Sequence, residues 1–163
     1  MSKIMFISPE KIKAEGDLDY NVNDKVIGAS IRACQTIYIR EALGDVYDEL
    51  LSLVEAKVNG EEPNIDSEDK ADYKELLNEY VVPALKYKVL SELCVRISLK
   101  IRNMGVVQNS DTNVNAVSLS DIKYLKDSFD TYYADALNRM LRYMEKKFGA
   151  RAKKYGNTGL WLG

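Results

Sequence analysis

The stretch VVPALKYKVLSELCVRISLKIRNMG, residues 81–105, decides the fold. Read as a helix, it repeats apolar side chains at spacings of three and four, the pattern of a core-facing stripe. The stripe consists of Leu90, Leu93, Cys94, Ile97, Ile101 and Met104. Roughly opposite lie Leu85, Val95 and Leu99, beside a charged row of Lys88, Glu92, Arg96 and Lys100. A helix that is apolar on two sides is predicted to sit in the middle of a bundle or to touch a second molecule.

The chain before this stretch is predicted to form four helices separated by glycines and polar turns. The first follows the signal Ser8-Pro9-Glu10 and stops at Gly16. The second begins at Asn23 or Asp24 and runs to about Leu43, and the third resumes at Asp45 after the break at Gly44. A polar linker, NGEEPNIDS, covers residues 59–67, and Ser67 is predicted to cap the fourth helix. Pro83 indicates either a short break near residues 80–82 or a continuous kinked helix.

After Gly105, the segment 106–117 is turn-rich and predicted to be a loop or a small β-hairpin. A helix of about 30 residues follows, from a capping box at residues 118–121 to Phe148. Its apolar line is Ile122, Leu125, Phe129, Tyr132, Ala136, Met140 and Tyr143, and Arg139, Arg142 and Lys146 share another side. We therefore expect an all-α helical bundle over residues 1–149 and an extended C-terminal arm over residues 150–163.

Composition limits the chemistry that the chain can perform. The 163 residues suit one domain with a real core, and no apolar run approaches the length of a signal peptide or a membrane span, which predicts synthesis in the cytoplasm. There is no histidine, which removes the commonest general base and the usual zinc ligand sets. Cys34 and Cys94 each fall on an apolar helical face and are predicted to be buried thiols. We therefore expect no enzymatic activity.

Charge is split between the two halves of the chain. Residues 1–80 carry nine basic and eighteen acidic side chains, whereas residues 81–163 carry fourteen basic and seven acidic ones. A monomer could fold the two halves together. Alternatively, a ring of identical subunits could place the acidic part of one copy against the basic part of the next.

Nearly the entire chain resembles the head-to-tail connector proteins of tailed phages, the adaptor rings that dock beneath the portal. The resemblance is carried by the opening FISPEKIKAEGDLDYNVND and by IGASIRACQTIYIREALGDVYDELL. The latter is similar to a recurring A-Q-x-x-x-I-x-x-x-L-G pattern followed by a tyrosine and a leucine, with Cys34 in place of the alanine. The segments YVVPALKYKVLSELC, IRNMGVVQNSD and RYMEK complete it. The chain resembles in particular such proteins of phages that infect Bacteroidetes, including crAss-like phages.

The resemblance implies a virion structural protein with no enzymatic activity and no cofactor. Such proteins form a homo-oligomeric, dodecameric ring that binds the portal and other connector or tail proteins. Their ring continues the channel through which DNA passes without sequence recognition, and they are found in the virion at the head–tail interface.

From the residues themselves, two groups are candidates for partner contacts. The first is the basic side of the last helix, Arg139, Arg142 and Lys146. The second is the C-terminal arm, whose cations and apolar side chains would dock on the portal or on a neighbouring subunit, or fold back onto the bundle; these are Lys153, Lys154, Tyr155, Leu160, Trp161 and Leu162. The alternative function is a monomeric helical binding or regulatory module that binds nucleic acid through the basic residues, although the sequence pI of about 5.3 disfavours general nucleic-acid affinity.

Overall fold

The computed structural model describes residues 3–16, 22–105 and 119–149, and for residues 97–105 and 119 it describes the backbone. Its α-helices are α1 (Pro9–Glu15), α2 (Asp24–Cys34), α3 (Arg40–Leu43), α4 (Asp45–Asn59), α5 (Ala71–Glu75), α6 (Val82–Gly105) and α7 (Leu119–Phe148). No strand occurs in these residues. The predicted all-α bundle with a long central helix and a long C-terminal helix is confirmed.

Two π-helical turns join neighbouring helices into longer rods. Residues Gln35–Ile39 connect α2 to α3, and residues Leu76–Val81 connect α5 to α6. At the second turn the Val82 N–H donates to the Leu77 carbonyl five residues back, and the backbone stays helical on both sides. This wider turn lies just before Pro83, whose ring would crowd the carbonyl four residues earlier in a regular helix. Of the two interpretations of Pro83, the continuous helix is the correct one.

The predicted helix starts agree with the structure at most positions. The Ser8 hydroxyl accepts the Lys11 N–H at 3.2 Å, and the Asn23 side chain accepts the Lys25 N–H at 2.8 Å. Gly44 separates α3 from α4 with φ of 57° and ψ of −129°, a conformation that favours glycine. Ser67 does precede the helical turn Glu68–Lys70, but its hydroxyl accepts the Asn64 N–H and does not cap that turn.

The first half of α6 forms the centre of the core. Its buried side chains face several directions around the helix; they are Val82, Ala84, Leu85, Val89, Leu90, Ser91 and Leu93. Of the predicted second apolar side, Leu85 is buried, whereas Val95 is exposed. The charged row beside them is less solvated than its sequence indicates. Lys88 is largely enclosed, because its ammonium lies 4.3 Å from the Tyr38 ring centre and 5.3 Å from that of Tyr133.

Helices α6 and α7 pack against each other, but the core covers only part of α7. Its buried residues are Ala136, Leu137, Met140, Tyr143 and Met144. Between residues 120 and 135 no described side chain is fully buried, although Phe129 of the predicted apolar line is partly buried and packs against the core. Tyr132 is 52% exposed and Leu125 is also exposed. The described core therefore encloses Ala136, Met140 and Tyr143 of the apolar line and partly covers Phe129.

A polar contact ties the two helices at the edge of the core. The fully buried Ser91 donates a hydrogen bond to Asp130, and the Lys126 ammonium lies 2.7 Å from the same carboxylate. Burial alone would raise the pKa of Asp130, but the hydrogen bonds from Lys126 and Ser91 outweigh it and lower that pKa. Because Ser91 has no exposed surface, this constellation holds α6 to α7 and its hydroxyl cannot meet a substrate.

The cysteines are free thiols, as predicted, with Cys34 buried and Cys94 partly buried. Burial raises the pKa of the Cys34 thiol to about 12. None of the described helices is long and apolar enough to cross a membrane. The segment 106–117, the arm 150–163 and the side chains of Ile97, Ile101 and Met104 lie outside the described residues, so the predictions made for them remain predictions.

Candidate interaction groove on α7

The basic side chains predicted on the last helix line an open groove between the α5–α6 rod and α7. This part of the groove has a volume of about 620 Å³ and is lined by Glu75, Glu79, Tyr80, Arg139, Arg142, Tyr143, Lys146 and Lys147. A second depression of about 280 Å³ continues it toward the start of α7. It shares Glu79, Tyr80 and Arg139 with the first and adds Pro83, Tyr87, Tyr132, Asp135 and Ala136. We call the two together the α7 groove.

The helical period explains why these residues share one surface. Arg139, Arg142 and Lys146 are spaced by three and four residues, so they form a row along α7 just beside its core-facing side. Asp135 belongs to the same row, one turn earlier. Buried Ala136, Met140 and Tyr143 anchor the adjacent face in the core and thereby fix the direction of the row.

The floor of the groove is aromatic. The rings of Tyr80 and Tyr143 stack with centres 4.4 Å apart and an interplanar angle of 22°. Farther along, the rings of Tyr87 and Tyr132 are tilted, with centres 5.4 Å apart. These contacts join the α5–α6 rod to α7 and leave tyrosine surface, most of all that of Tyr132, available to a partner.

Hydrogen bonds hold one wall of the groove in place. The Tyr143 hydroxyl donates to Glu75 Oε2 at 2.9 Å and contacts the Asp72 carbonyl at 3.2 Å, and Lys147 lies 3.3 Å from the Asp72 carboxylate. Burial raises the pKa of Tyr143, and the hydrogen bond to Glu75 raises it further, so the hydroxyl remains a donor. Asp72 and Glu75 belong to the acidic half of the chain, residues 1–80. These contacts therefore bring two of its carboxylates against α7, which belongs to the basic half.

The remaining cations differ in how they are paired. Arg139 lies 3.0 Å from Asp135 in an exposed ion pair, which is a weak contact. Within the part of the chain that the structure describes, Arg142 and Lys146 have no carboxylate within ion-pair distance. The groove therefore combines a rigid aromatic floor with cations that are free to meet an acidic partner.

The structure brings together three of the nine predicted contact residues, namely Arg139, Arg142 and Lys146. The other six, Lys153, Lys154, Tyr155, Leu160, Trp161 and Leu162, lie outside the described residues. Sequence reasoning missed the groove. Tyr132 and Tyr143 were both interpreted as core; Tyr143 is buried as predicted, whereas Tyr132 is exposed. The tyrosine hydroxyls were the available signal, since a buried tyrosine usually needs a polar partner or an open edge.

Residues 39–150 match the model of a protein family described as a family of unknown function, DUF6712, and this span is more than half of the chain. The chain belongs to this family. The matched span runs from the last residue of the first π-helical turn through α7, so it contains the whole α7 groove. No curated protein and no solved structure matches the chain at a significant level.

Proposed function

We propose that this chain is the subunit of a ring-shaped virion connector, which links a phage portal to the tail and continues the channel for DNA. In this proposal it is a homo-oligomer, with a dodecamer as the expected ring, and it catalyses no reaction. Its further partners are the portal, other connector or tail proteins, and DNA that passes without sequence recognition. The assembled protein belongs to the head–tail interface of the virion.

The observation that carries the proposal is the composition of the α7 groove. Tyrosine and arginine are the side chains most enriched at the centres of protein–protein interfaces, because each combines a large contact area with a polar end. The groove has Tyr80, Tyr87, Tyr132 and Tyr143 beside Arg139 and Arg142. Such a surface on a helical bundle fits assembly with another protein better than it fits the enclosure of a small molecule.

The motif behind the phage resemblance supports the same proposal, because its positions have packing and turn roles. Ile39, Leu43 and Leu50 are fully buried, and Gly44 provides the break between α3 and α4. Gln35 and Tyr47 hydrogen-bond to each other at 3.3 Å inside the bundle. A pattern of this kind specifies a rigid shape, as expected of a subunit whose work is to bear load.

Negative-stain electron microscopy of the purified full-length chain tests the proposal. We expect closed rings with a central channel. Particles of single-subunit size at every concentration, with no ring among them, would contradict it.

Arg142 and Lys146 also give a specific reason to keep the second candidate, a monomeric module that binds nucleic acid. Unpaired cations in an open groove can contact phosphates, and such binding weakens steeply with salt. A gel-shift titration with double-stranded DNA distinguishes the two candidates. A monomer that shifts DNA through Arg142 and Lys146 would favour this alternative, whereas a ring with no such affinity would favour the connector.

A further inference from the structure

The outer face of α4 carries a row of carboxylates that matches the cations of the α7 groove. Asp45, Asp48, Ser52 and Glu55 are exposed and spaced by three, four and three residues, while Val46, Tyr47, Leu50 and Leu53 on the other side are buried. Among the described residues, none of the three carboxylates has an ion-pair partner. Four residues of the α7 groove, Asp135, Arg139, Arg142 and Lys146, are spaced by four, three and four residues.

We propose that the α7 groove of one subunit binds the outer face of α4 of a second copy of this chain. The inference rests on the proposed function, in that it assumes self-association, and it names the two surfaces that meet. Because these surfaces are different parts of the subunit, the contact is heterologous, the type that closes into a ring when the rotation permits.

The two rows agree in spacing and in charge. Arg139 and Lys146 are seven residues apart, as are Asp48 and Glu55, so both pairs span about 10 Å along their helices. With the helices antiparallel, Asp48 meets Lys146, Ser52 meets Arg142 and Glu55 meets Arg139. One turn farther along, the Asn59 side-chain amide reaches Asp135 and can donate a hydrogen bond to it.

The carboxylates of the groove itself do not cancel its attraction for the acidic α4 row. Glu75 is occupied by the Tyr143 hydroxyl, and Asp135 already pairs with Arg139 in an exposed contact. Glu79 is the remaining groove carboxylate and opposes an acidic partner. Arg142, Lys146 and a shared Arg139 outnumber it, so the groove keeps a net attraction for the α4 row.

Charge reversal in trans tests the pairing with the full-length chain. One variant carries Arg139→Glu and Lys146→Glu, and the other carries Asp48→Lys and Glu55→Lys. Each variant places like charges across the proposed contact, so we expect its association constant to fall at least about tenfold, as measured by sedimentation velocity. Mixed in equal amounts, each variant offers the other a complementary contact on both surfaces, and we expect assembly to return.

Exposed charges elsewhere provide controls, since Lys25→Glu and Glu10→Lys each reverse one charge of the corresponding sign outside both surfaces. We expect these control variants to assemble normally and all variants to keep the helical circular-dichroism spectrum of the wild type.

Four outcomes are distinguishable. Loss of assembly in both variants with recovery on mixing supports the inference. If either the groove variant or the α4 variant assembles normally, the inference is overturned while the proposed function stays in place. If both variants lose assembly and do not recover it on mixing, the pairing of these two surfaces is overturned. A wild-type chain that never exceeds subunit mass overturns the proposed function and this inference with it.

Discussion

Gln35 is a buried polar residue on which the N-terminal segment depends. Only 3% of it is exposed, its carbonyl oxygen accepts the Phe6 N–H at 2.8 Å, and its amide nitrogen donates to the Ile4 carbonyl at 3.1 Å. The motif behind the phage resemblance includes a glutamine at this position but does not say why. The structure shows that Gln35 contacts residues about thirty positions earlier in the chain, which no local periodicity can reveal.

Replacing Gln35 by leucine should destabilise the fold although the side chain stays large. The Phe6 N–H would remain buried without an acceptor, so we expect the free energy of unfolding to fall by roughly 1–3 kcal/mol. Urea unfolding followed by circular dichroism measures this. Thr36→Ala, at the exposed neighbour, is the control and should stay within about 0.5 kcal/mol of the wild type. Equal effects of the two substitutions would contradict the anchoring role.

Asp66 joins the end of α4 to α5 across the polar linker. The ammonium groups of Lys57 and Lys74 lie 2.8 and 2.9 Å from its carboxylate. The hydrogen bond from Lys57, followed by that from Lys74, lowers the pKa of Asp66 to about 2.

A lowered pKa in the folded state means that the charged carboxylate stabilises the fold at neutral pH. This contribution is fully present above the unfolded pKa of about 4 and is lost as the pH falls through about 2. Asp66→Asn should therefore melt below the wild type at pH 7, and the two melting temperatures should converge as the pH is lowered from about 4 to about 2. A difference that stays constant over that range would refute the assignment.

At the scale of elements, the positions of the helices are well predicted by the sequence. The burial of each helix face is predicted less well. Periodicity and capping residues identify the helices and the bounds of α2–α3 and α7, because these signals are local. Burial is not local. The periodicity of α7 does not distinguish Leu125 and Tyr132, which are exposed in this chain, from Phe129, which packs against the core.

Two apolar residues of α6 that are two positions apart test the difference between helical pattern and burial. Leu93 is fully enclosed, whereas Val95 is 40% exposed. We expect Leu93→Ala to lower the free energy of unfolding by roughly 2–5 kcal/mol through lost contacts and a cavity. Val95→Ala should change it by less than about 0.5 kcal/mol. Chemical denaturation of both variants decides the matter, and comparable losses would place Val95 in the core.

At the scale of the whole molecule, few charges of the acidic half are paired with charges of the basic half within one chain. Two ion pairs join the acidic and basic halves, Lys86 with Glu15 and Lys147 with Asp72, while the others described lie within one half. The sequence predicted the imbalance and three groove cations. It could not predict the groove, because the tyrosine floor forms only when the α5–α6 rod and α7 pack together.

Association through these charges should depend on salt. Raising the ionic strength from about 0.1 to 1 M shortens the screening length from about 10 to 3 Å, so the attraction between the α4 row and the groove weakens. We expect the association constant measured by light scattering to fall over this range. An association constant that does not change would indicate that apolar contacts alone drive assembly.

The mass of the intact wild-type chain in solution tests the central claim, self-association into a ring, most directly. The subunit mass is 18.5 kDa. Native mass spectrometry at low ionic strength should give one dominant species at a fixed large multiple of this mass, twelve subunits in the expected ring. A spectrum that contains only the 18.5 kDa monomer at every concentration would contradict the account.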